Sequence, residues 1–200
     1  MKKLYYLIGI IIFIISLIFD RQVSILFTSH RIGFLSTISI FINSVSGYII
    51  FGVVLFILLL AGQKKKLIPL IIALGLYLGL AGLMKIIIAR PRPFVGLNNS
   101  LVDGLNPYKS FPSGHATAVF SIIPFFDFSK ILYYIWVSVA VIVSLSRVYL
   151  GVHYMSDVVA GALLGCFVGE LSFYLSGRFQ DMPRIRKLAV FTSMSQPQSL

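Results

Sequence analysis

Long runs of apolar residues, each ended by a short polar or basic segment, are the feature that most limits how this chain can fold. Hydrophobic residues make up 58% of the sequence and charged residues only 12%, whereas soluble domains are roughly 45–50% apolar. A helix needs about 20 mainly apolar residues to cross a bilayer. The 200 residues therefore predict one all-α domain, a polytopic membrane helix bundle with about six transmembrane helices.

The apolar segments that fit this layout are residues 4–19, 47–61, 67–88, 114–126, 131–145 and 152–175. Residues 20–46 mix apolar with polar side chains, which favours an amphipathic segment lying in the membrane interface, with a partly buried loop as the alternative. No small-residue cleavage site precedes Asp20, so we expect the first run to be retained as a span. Cys166, the only cysteine, lies in an apolar segment and is predicted to be a packing residue.

Glycines at four-residue spacing mark close contacts between membrane helices. Gly75 and Gly79 show this spacing in the third segment, and Gly161, Gly165 and Gly169 show it in the sixth. We therefore predict that both segments pack closely against other helices through these glycines.

The basic residues predict an orientation rather than a nucleic-acid partner. The net charge is +11, but a nucleic-acid binder clusters its Lys and Arg on one face, and here they separate apolar runs. Short loops rich in Lys and Arg mark the cytoplasmic side. The Lys64-Lys65-Lys66 turn and the basic tail, residues 178–200, place both termini in the cytoplasm. The loops after the third and fifth segments then meet on the outer face.

Those outer loops carry residues suited to binding phosphate. Lys85 and Arg92 place two cations on one loop, which favours an anionic ligand; a lysine extending toward the interface is the structural alternative. Ser113 and Gly114 begin a predicted helix whose first backbone N–H groups are unsatisfied, and such helix starts bind phosphate. A Ser-Gly helix start without a ligand is also common. His115 follows and, when protonated, can donate to a leaving oxygen.

The loop after the fifth segment adds a guanidinium and a histidine–carboxylate pair. Arg147 is a bidentate donor suited to phosphate. His153 and Asp157 are four residues apart, so on a helix the carboxylate reaches the imidazole. This contact fixes the tautomer and leaves the other ring nitrogen able to attack phosphorus, which gives a phosphohistidine. The alternatives are a surface pair or half of a metal site; metal is disfavoured because no further ligands lie nearby in sequence.

The chain resembles the type 2 phosphatidic acid phosphatase (PAP2) superfamily of integral-membrane lipid phosphatases. The motif Lys-x6-Arg-Pro is present at residues 85–93, Pro-Ser-Gly-His at 112–115, and Ser-Arg-x5-His-x3-Asp at 146–157. The motifs span the core at residues 67–175 of a single domain covering residues 1–200. The resemblance implies that His153 is the nucleophile, Asp157 orients it and His115 protonates the leaving group. It further implies no metal or cofactor, and phosphate binding by Lys85, Arg92, Ser113, Gly114 and Arg147.

We therefore expect a membrane-embedded lipid phosphate or diphosphate hydrolase with its site on the outer face. The small size resembles that of the microbial family members that recycle the isoprenoid carrier, and this resemblance implies an isoprenoid diphosphate such as undecaprenyl diphosphate as the substrate. Phosphatidylglycerol phosphate, phosphatidic acid and the phosphate of a lipid A are alternatives. A lipid transporter or flippase that retains an anion site is the alternative of another class, favoured by Glu170 in the last segment. The sequence predicts no nucleic-acid partner and no obligatory protein partner.

Overall fold

The computed structural model describes residues 2–44, 47–98 and 100–180, which contain helices joined by turns and loops and no β-strand. The long apolar runs form helices because a bilayer offers no other hydrogen-bond partners to the backbone. Two single turns of 3-10 helix, Lys64–Lys66 and Ile123–Phe126, join some of them. The α-helices are α1 (Lys2–Ser29), α2 (Gly33–Ser44), α3 (Gly47–Leu60), α4 (Leu67–Ile88), α5 (Pro93–Leu97), α6 (Gly114–Ser121), α7 (Lys130–Tyr149) and α8 (Met155–Gln180).

The predicted all-α membrane bundle is confirmed. Within the described ranges, four helical stretches are long and apolar enough to cross a membrane: Leu4–Ser29, Lys64–Leu97, Lys130–Tyr149 and Met155–Gly177. The pair formed by α2 and α3 bends by 78° and would supply a fifth. The predicted fourth segment forms the shorter apolar helix Gly114–Phe126. The number of about six spans therefore stays a prediction.

The charge of Asp20 predicts that the first helix ends near this residue, but the helix continues past it. It continues to Ser29, and the Asp20 side chain is buried in the bundle. The carboxylate accepts hydrogen bonds from Arg90 and Ser156, which replace its contacts with water. A paired carboxylate can stay inside a membrane helix. The predicted interfacial segment, residues 20–46, is thus wrong in its first part, which belongs to α1, and α2 forms most of the rest.

Helices α6 and α8 run parallel in close contact through the glycines of α8. A Cβ atom added to Gly161 would lie 2.6 Å from the Ser113 carbonyl oxygen. At Gly165 and Gly169 the added atom would lie 2.5 Å from the carbonyl oxygens of Thr117 and Ser121, respectively. The predicted close contact of the sixth segment is therefore confirmed. Because the contacts advance in the same direction along both helices, their N-terminal ends lie side by side.

The same prediction is wrong for the third segment. A Cβ atom added at Gly75 or Gly79 would meet no described atom within 4 Å. Helix α4 instead buries Leu70, Ala73 and Ala81, so a different face of the helix packs into the bundle. The core lies between α3, α4, α6, α7 and α8, and many apolar side chains of α1 stay exposed where lipid would surround them.

Candidate active site

His153 and Asp157 meet at the start of α8. His153 lies in the turn just before α8, and Asp157 lies in its first helical turn. Nδ1 of His153 is 3.6 Å from Oδ2 of Asp157. The sequence spacing therefore brings the pair together as predicted, although a turn rather than a continuous helix carries the histidine.

The Asp157 carboxylate is fully buried and accepts several hydrogen bonds. Oδ2 accepts from the Ser110 hydroxyl at 2.5 Å and from the Tyr154 backbone N–H at 2.9 Å. Oδ1 accepts from Nη1 of Arg90 at 2.7 Å. The motifs do not assign Ser110 or Arg90 a site role. These donors fix the carboxylate beside His153 and keep it ionised.

Arg90 also connects the site to α1. Its Nη2 donates to Oδ2 of Asp20 at 2.7 Å, and its Nη1 donates to the Ser156 hydroxyl at 2.7 Å. The guanidinium lies 4.4 Å from the ring centroid of Tyr154. Asp20 in turn accepts from the Ser156 backbone N–H at 2.9 Å. One guanidinium thus holds two buried carboxylates on different helices.

Arg92 lies directly against His153. Its Nη1 is 3.3 Å from Nε2 of His153 and donates to the Val152 carbonyl oxygen at 2.7 Å, while its Nε donates to the Asn106 carbonyl oxygen at 2.9 Å. A guanidinium has no acceptor, so this contact assigns the lone pair to Nε2 and the proton to Nδ1, which faces Asp157. Burial lowers the pKa of the His153 imidazole to about 3. The Arg92 charge also lowers this pKa, whereas the Asp157 charge raises it.

Lys85 joins the end of α4 to the loop before α6. Its Nζ donates to the carbonyl oxygens of Lys109 at 3.0 Å and Pro112 at 2.7 Å. A Cβ atom added at Gly114 would lie 3.8 Å from Cε of Lys85 and 3.6 Å from the Tyr77 hydroxyl. The ammonium therefore lies close to the start of α6, and Tyr77 is a neighbour that the motifs do not contain.

The start of α6 has the properties of an anion site. Ser113, its N-cap residue, makes no side-chain cap and is completely buried. In the described part of the chain, no hydrogen-bond partner exists for the Ser113 hydroxyl. A buried hydroxyl without a partner costs about 1–3 kcal/mol, which a bound phosphate oxygen would recover. The Ser113 backbone N–H donates to the Asp157 carbonyl oxygen at 2.9 Å, so this end of α6 adjoins the pair on α8.

Arg147 is also buried, but its observed hydrogen bonds go to protein groups. It donates to Oδ1 of Asn43 at 2.8 Å, to the Ser39 carbonyl oxygen at 3.3 Å and to the Ser146 hydroxyl at 3.0 Å. These bonds tie α7 to α2. A role in phosphate binding stays a prediction for this residue. Among the described residues, no three His, Cys, Asp or Glu side chains group so as to hold a metal ion.

Comparison with known proteins identifies the family of this chain. The model of the PAP2 superfamily matches residues 64–181. An undecaprenyl-diphosphatase of Sulfolobus acidocaldarius is 30% identical over 188 residues, which cover 86% of this chain and 91% of that protein. Phosphatidylglycerophosphatase B of Bacillus subtilis is 38% identical over 90 residues, which cover 39% of this chain and 43% of that protein.

A solved structure is similar over most of its length. The crystal structure of LpxE from Aquifex aeolicus superposes with a TM-score of 0.69 at 29% identity and covers 78% of this chain and 94% of that one. The fold and the matches define an integral membrane protein of the lipid phosphatase class. The chain belongs to the PAP2 superfamily.

Proposed function

We propose that this protein hydrolyses the phosphate or diphosphate of a membrane lipid through a phosphohistidine on His153. The arrangement around His153 carries the proposal: Asp157 lies 3.6 Å from Nδ1 and Arg92 lies 3.3 Å from Nε2. A neutral imidazole whose Nδ1 carries the proton has its reactive lone pair on Nε2, on the side where a cation can bind a phosphoryl oxygen.

The chemistry has two displacements on phosphorus. In the first, Nε2 of His153 bonds to phosphorus, the bond from phosphorus to the leaving oxygen breaks, and protonated His115 donates a proton to that oxygen. In the second, His115 accepts a proton from water, the water oxygen bonds to phosphorus, and the P–N bond breaks to release inorganic phosphate. Asp157 stabilises the charge that His153 gains in the first step.

The remaining predicted residues would bind the phosphoryl group. Lys85, Arg92, the Ser113 hydroxyl and the backbone at Gly114 would contact its oxygens, and Arg147 would add positive charge behind them. No metal enters either step. Activity that persists in excess EDTA supports this route, and activity that requires an added divalent cation contradicts it.

The nucleophile is tested by histidine substitution in purified protein. His153→Ala and His115→Ala should each reduce lipid phosphate release by at least about 10³-fold. His30→Ala is the matched control, because His30 is exposed between α1 and α2 and should retain full activity. Brief reaction with ³²P-labelled lipid should label the wild-type protein with a phosphoramidate that acid hydrolyses. Equal labelling of His153→Ala would contradict the assignment.

An isoprenoid diphosphate carrier, similar to undecaprenyl diphosphate, is the substrate we favour. The relative that covers 86% of this chain is named an undecaprenyl-diphosphatase, which supports this choice. Phosphatidylglycerol phosphate, phosphatidic acid and a lipid A phosphate are the alternatives. Phosphate release from a panel of these lipids in detergent ranks them, and a clear preference for a glycerolipid would replace the isoprenoid assignment.

We propose that residues 1–200 form one domain with both termini in the cytoplasm and the site on the outer face. In a variant that also carries Cys166→Ser, the cysteine of Asp103→Cys should react in intact cells with a maleimide that cannot cross the membrane. A cysteine at Lys65 should react only after the cells are opened. The reverse pattern would invert the topology.

The transporter alternative draws on Glu170, and the structure shows a pairing contact there. The Tyr5 hydroxyl donates to the Glu170 carboxylate, so this acid joins α1 to α8. Transport is tested with a fluorescent lipid phosphate in proteoliposomes. Movement of lipid across the bilayer by His153→Ala protein, without phosphate release by the wild type, would favour the transporter.

A further inference from the structure

An apolar cavity of about 200 Å³ adjoins His115. It lies between α2, α3, α6 and α7. Besides His115, its lining includes Phe41, Ile50, Val53, Val119, Val139 and Val143. Phe41 and Val53 are also well exposed at the surface of the bundle, so the cavity lies next to the lipid-facing surface.

Among the described residues, the wall of this cavity offers no polar atom to an occupant. Its accessible surface consists of apolar atoms. Trp136 also lines it, but the indole N–H already donates to the Val119 carbonyl oxygen at 2.8 Å. An apolar cavity of about 150 Å³ binds benzene, so this one has room for a branched hydrocarbon segment such as an isoprene unit.

His115 connects the cavity to the phosphate-binding end of the site. It follows Gly114, beside which Lys85 and Tyr77 lie, and Ser113, whose buried hydroxyl has no partner among the described residues. If His115 protonates the leaving oxygen, the group bonded to that oxygen must extend past the imidazole. In a prenyl phosphate that group is hydrocarbon, and in a prenyl diphosphate it is the inner phosphate with the hydrocarbon directly after it. The adjoining space on this path is apolar.

We propose that the cavity binds the hydrocarbon nearest the phosphate and so selects prenyl phosphates and diphosphates, whose hydrocarbon begins directly at the phosphate. In a glycerolipid or a lipid A, ester or sugar oxygens occupy that position. Those oxygens would lose their hydrogen bonds to water against a wall whose described accessible surface is apolar, which costs free energy. The inference rests on the proposed function, since it requires His115 to face the leaving group.

A matched pair of substitutions on α7 tests the cavity. Val139 lines it, whereas Val141, two residues further along, is 44% exposed on the outside of the helix. Val139→Phe fills the space, and Val141→Phe adds the same side chain where lipid surrounds it. Val53→Phe, on α3, is a second filling variant in case Val139→Phe fails to fold.

The assay uses farnesyl phosphate, farnesyl diphosphate and a short-chain phosphatidic acid in the same detergent micelles. We expect kcat/KM of the wild type to be at least about 10-fold higher for the better farnesyl compound than for phosphatidic acid. Val139→Phe should remove this preference, and Val141→Phe should keep it. Inhibition by vanadate, which occupies only the phosphate end, should be equal in all three proteins.

Two results would overturn the inference. One is equal kcat/KM for the farnesyl compounds and phosphatidic acid in the wild type. The other is an equal effect of Val139→Phe and Val141→Phe, as expected if a bulk membrane lipid fills the cavity. In both cases His153-dependent hydrolysis persists. Failure of the proposed function is different, because the wild type would then release no phosphate from any of the lipids.

Discussion

Nη1 of Arg92 lies 3.3 Å from Nε2 of His153, and the same nitrogen donates to the Val152 carbonyl oxygen at 2.7 Å. The contact places a permanent cation against the nitrogen that our proposal makes the nucleophile. It allows a neutral imidazole and opposes a protonated one, because two positive charges would meet in a buried place. Substrate binding would transfer this donor from Nε2 to a phosphoryl oxygen.

His153 should therefore stay neutral across the acidic range. Its pKa is lowered to about 3, so the imidazole is uncharged above about pH 4, whereas an unperturbed histidine gains its proton near pH 6.5. Nitrogen-15 spectra of histidine-labelled protein contain signals from only three residues, and His153→Asn identifies one of them. That signal should not change between pH 7 and pH 5. A titration midpoint near 6.5 would contradict the buried, cation-paired geometry.

Ser110 should act as a positioning residue. Its hydroxyl is 2.5 Å from Oδ2 of Asp157 and 3.5 Å from Nδ1 of His153. Hydrogen bonds to charged groups are worth about 1.5–3 kcal/mol, so Ser110→Ala should lower kcat by about 10-fold or more with little change in KM. Ser138→Ala is the control, since the Ser138 hydroxyl donates to the Tyr134 carbonyl oxygen within its own helix. A rise in KM at constant kcat would indicate substrate binding instead.

The ion pair of buried Asp20 with half-buried Arg90 should stabilise the bundle. Removing one partner of a buried ion pair costs about 3 kcal/mol, equivalent to roughly 6–12 °C in Tm for a chain of this length. Asp20→Ala should produce this loss in detergent. Asp127, which pairs with Lys66 but is 68% exposed, supplies the comparison. Asp127→Ala should lower the free energy of unfolding by less than about 1 kcal/mol. Equal losses in the two variants would contradict the expectation that the buried carboxylate contributes more to stability.

The glycines of α8 should control the position of α6. Alanine at Gly165 would bring its Cβ within 2.5 Å of the Thr117 carbonyl oxygen and 2.8 Å of the Phe120 Cβ. Helix α6 must then shift, and a displacement of about 1 Å can cost 10²-fold in rate. Gly165→Ala should therefore lower both Tm and kcat. Gly79→Ala meets no described atom within 4 Å and should leave both unchanged; loss of activity there would show that α4 packs differently.

Hydropathy and motif spacing predicted much of this molecule. The bounds of α4 match the predicted third segment, and the pair of His153 and Asp157 forms as expected. Both depend on local signals, the length of an apolar run and a four-residue spacing. The glycines of α8 were also predicted correctly, because a helix repeats its face at that spacing.

Contacts between distant parts of the chain were not predictable in this way. Asp20 resembled the end of a span, and only its contact with Arg90, 70 residues away, shows why it is buried. Ser110 belongs to no motif, yet it contacts Asp157. Arg147 sits in a phosphate-binding pattern, although its observed bonds reach Ser39 and Asn43. An acid within an apolar stretch is the sequence signal that could have indicated a partner.

The parallel contact of α6 with α8 has an electrostatic consequence. Each helix carries about half a positive elementary charge at its N-terminal end, and these two ends lie side by side. In α8, the negative charge of Asp157 in the first turn offsets the positive end of the helix dipole. Helix α6 has no acidic residue in its first turn. The positive end of the α6 dipole would therefore add to the attraction of an anion at the proposed site, and this contribution would not depend on pH because the helix dipole carries no proton that titrates.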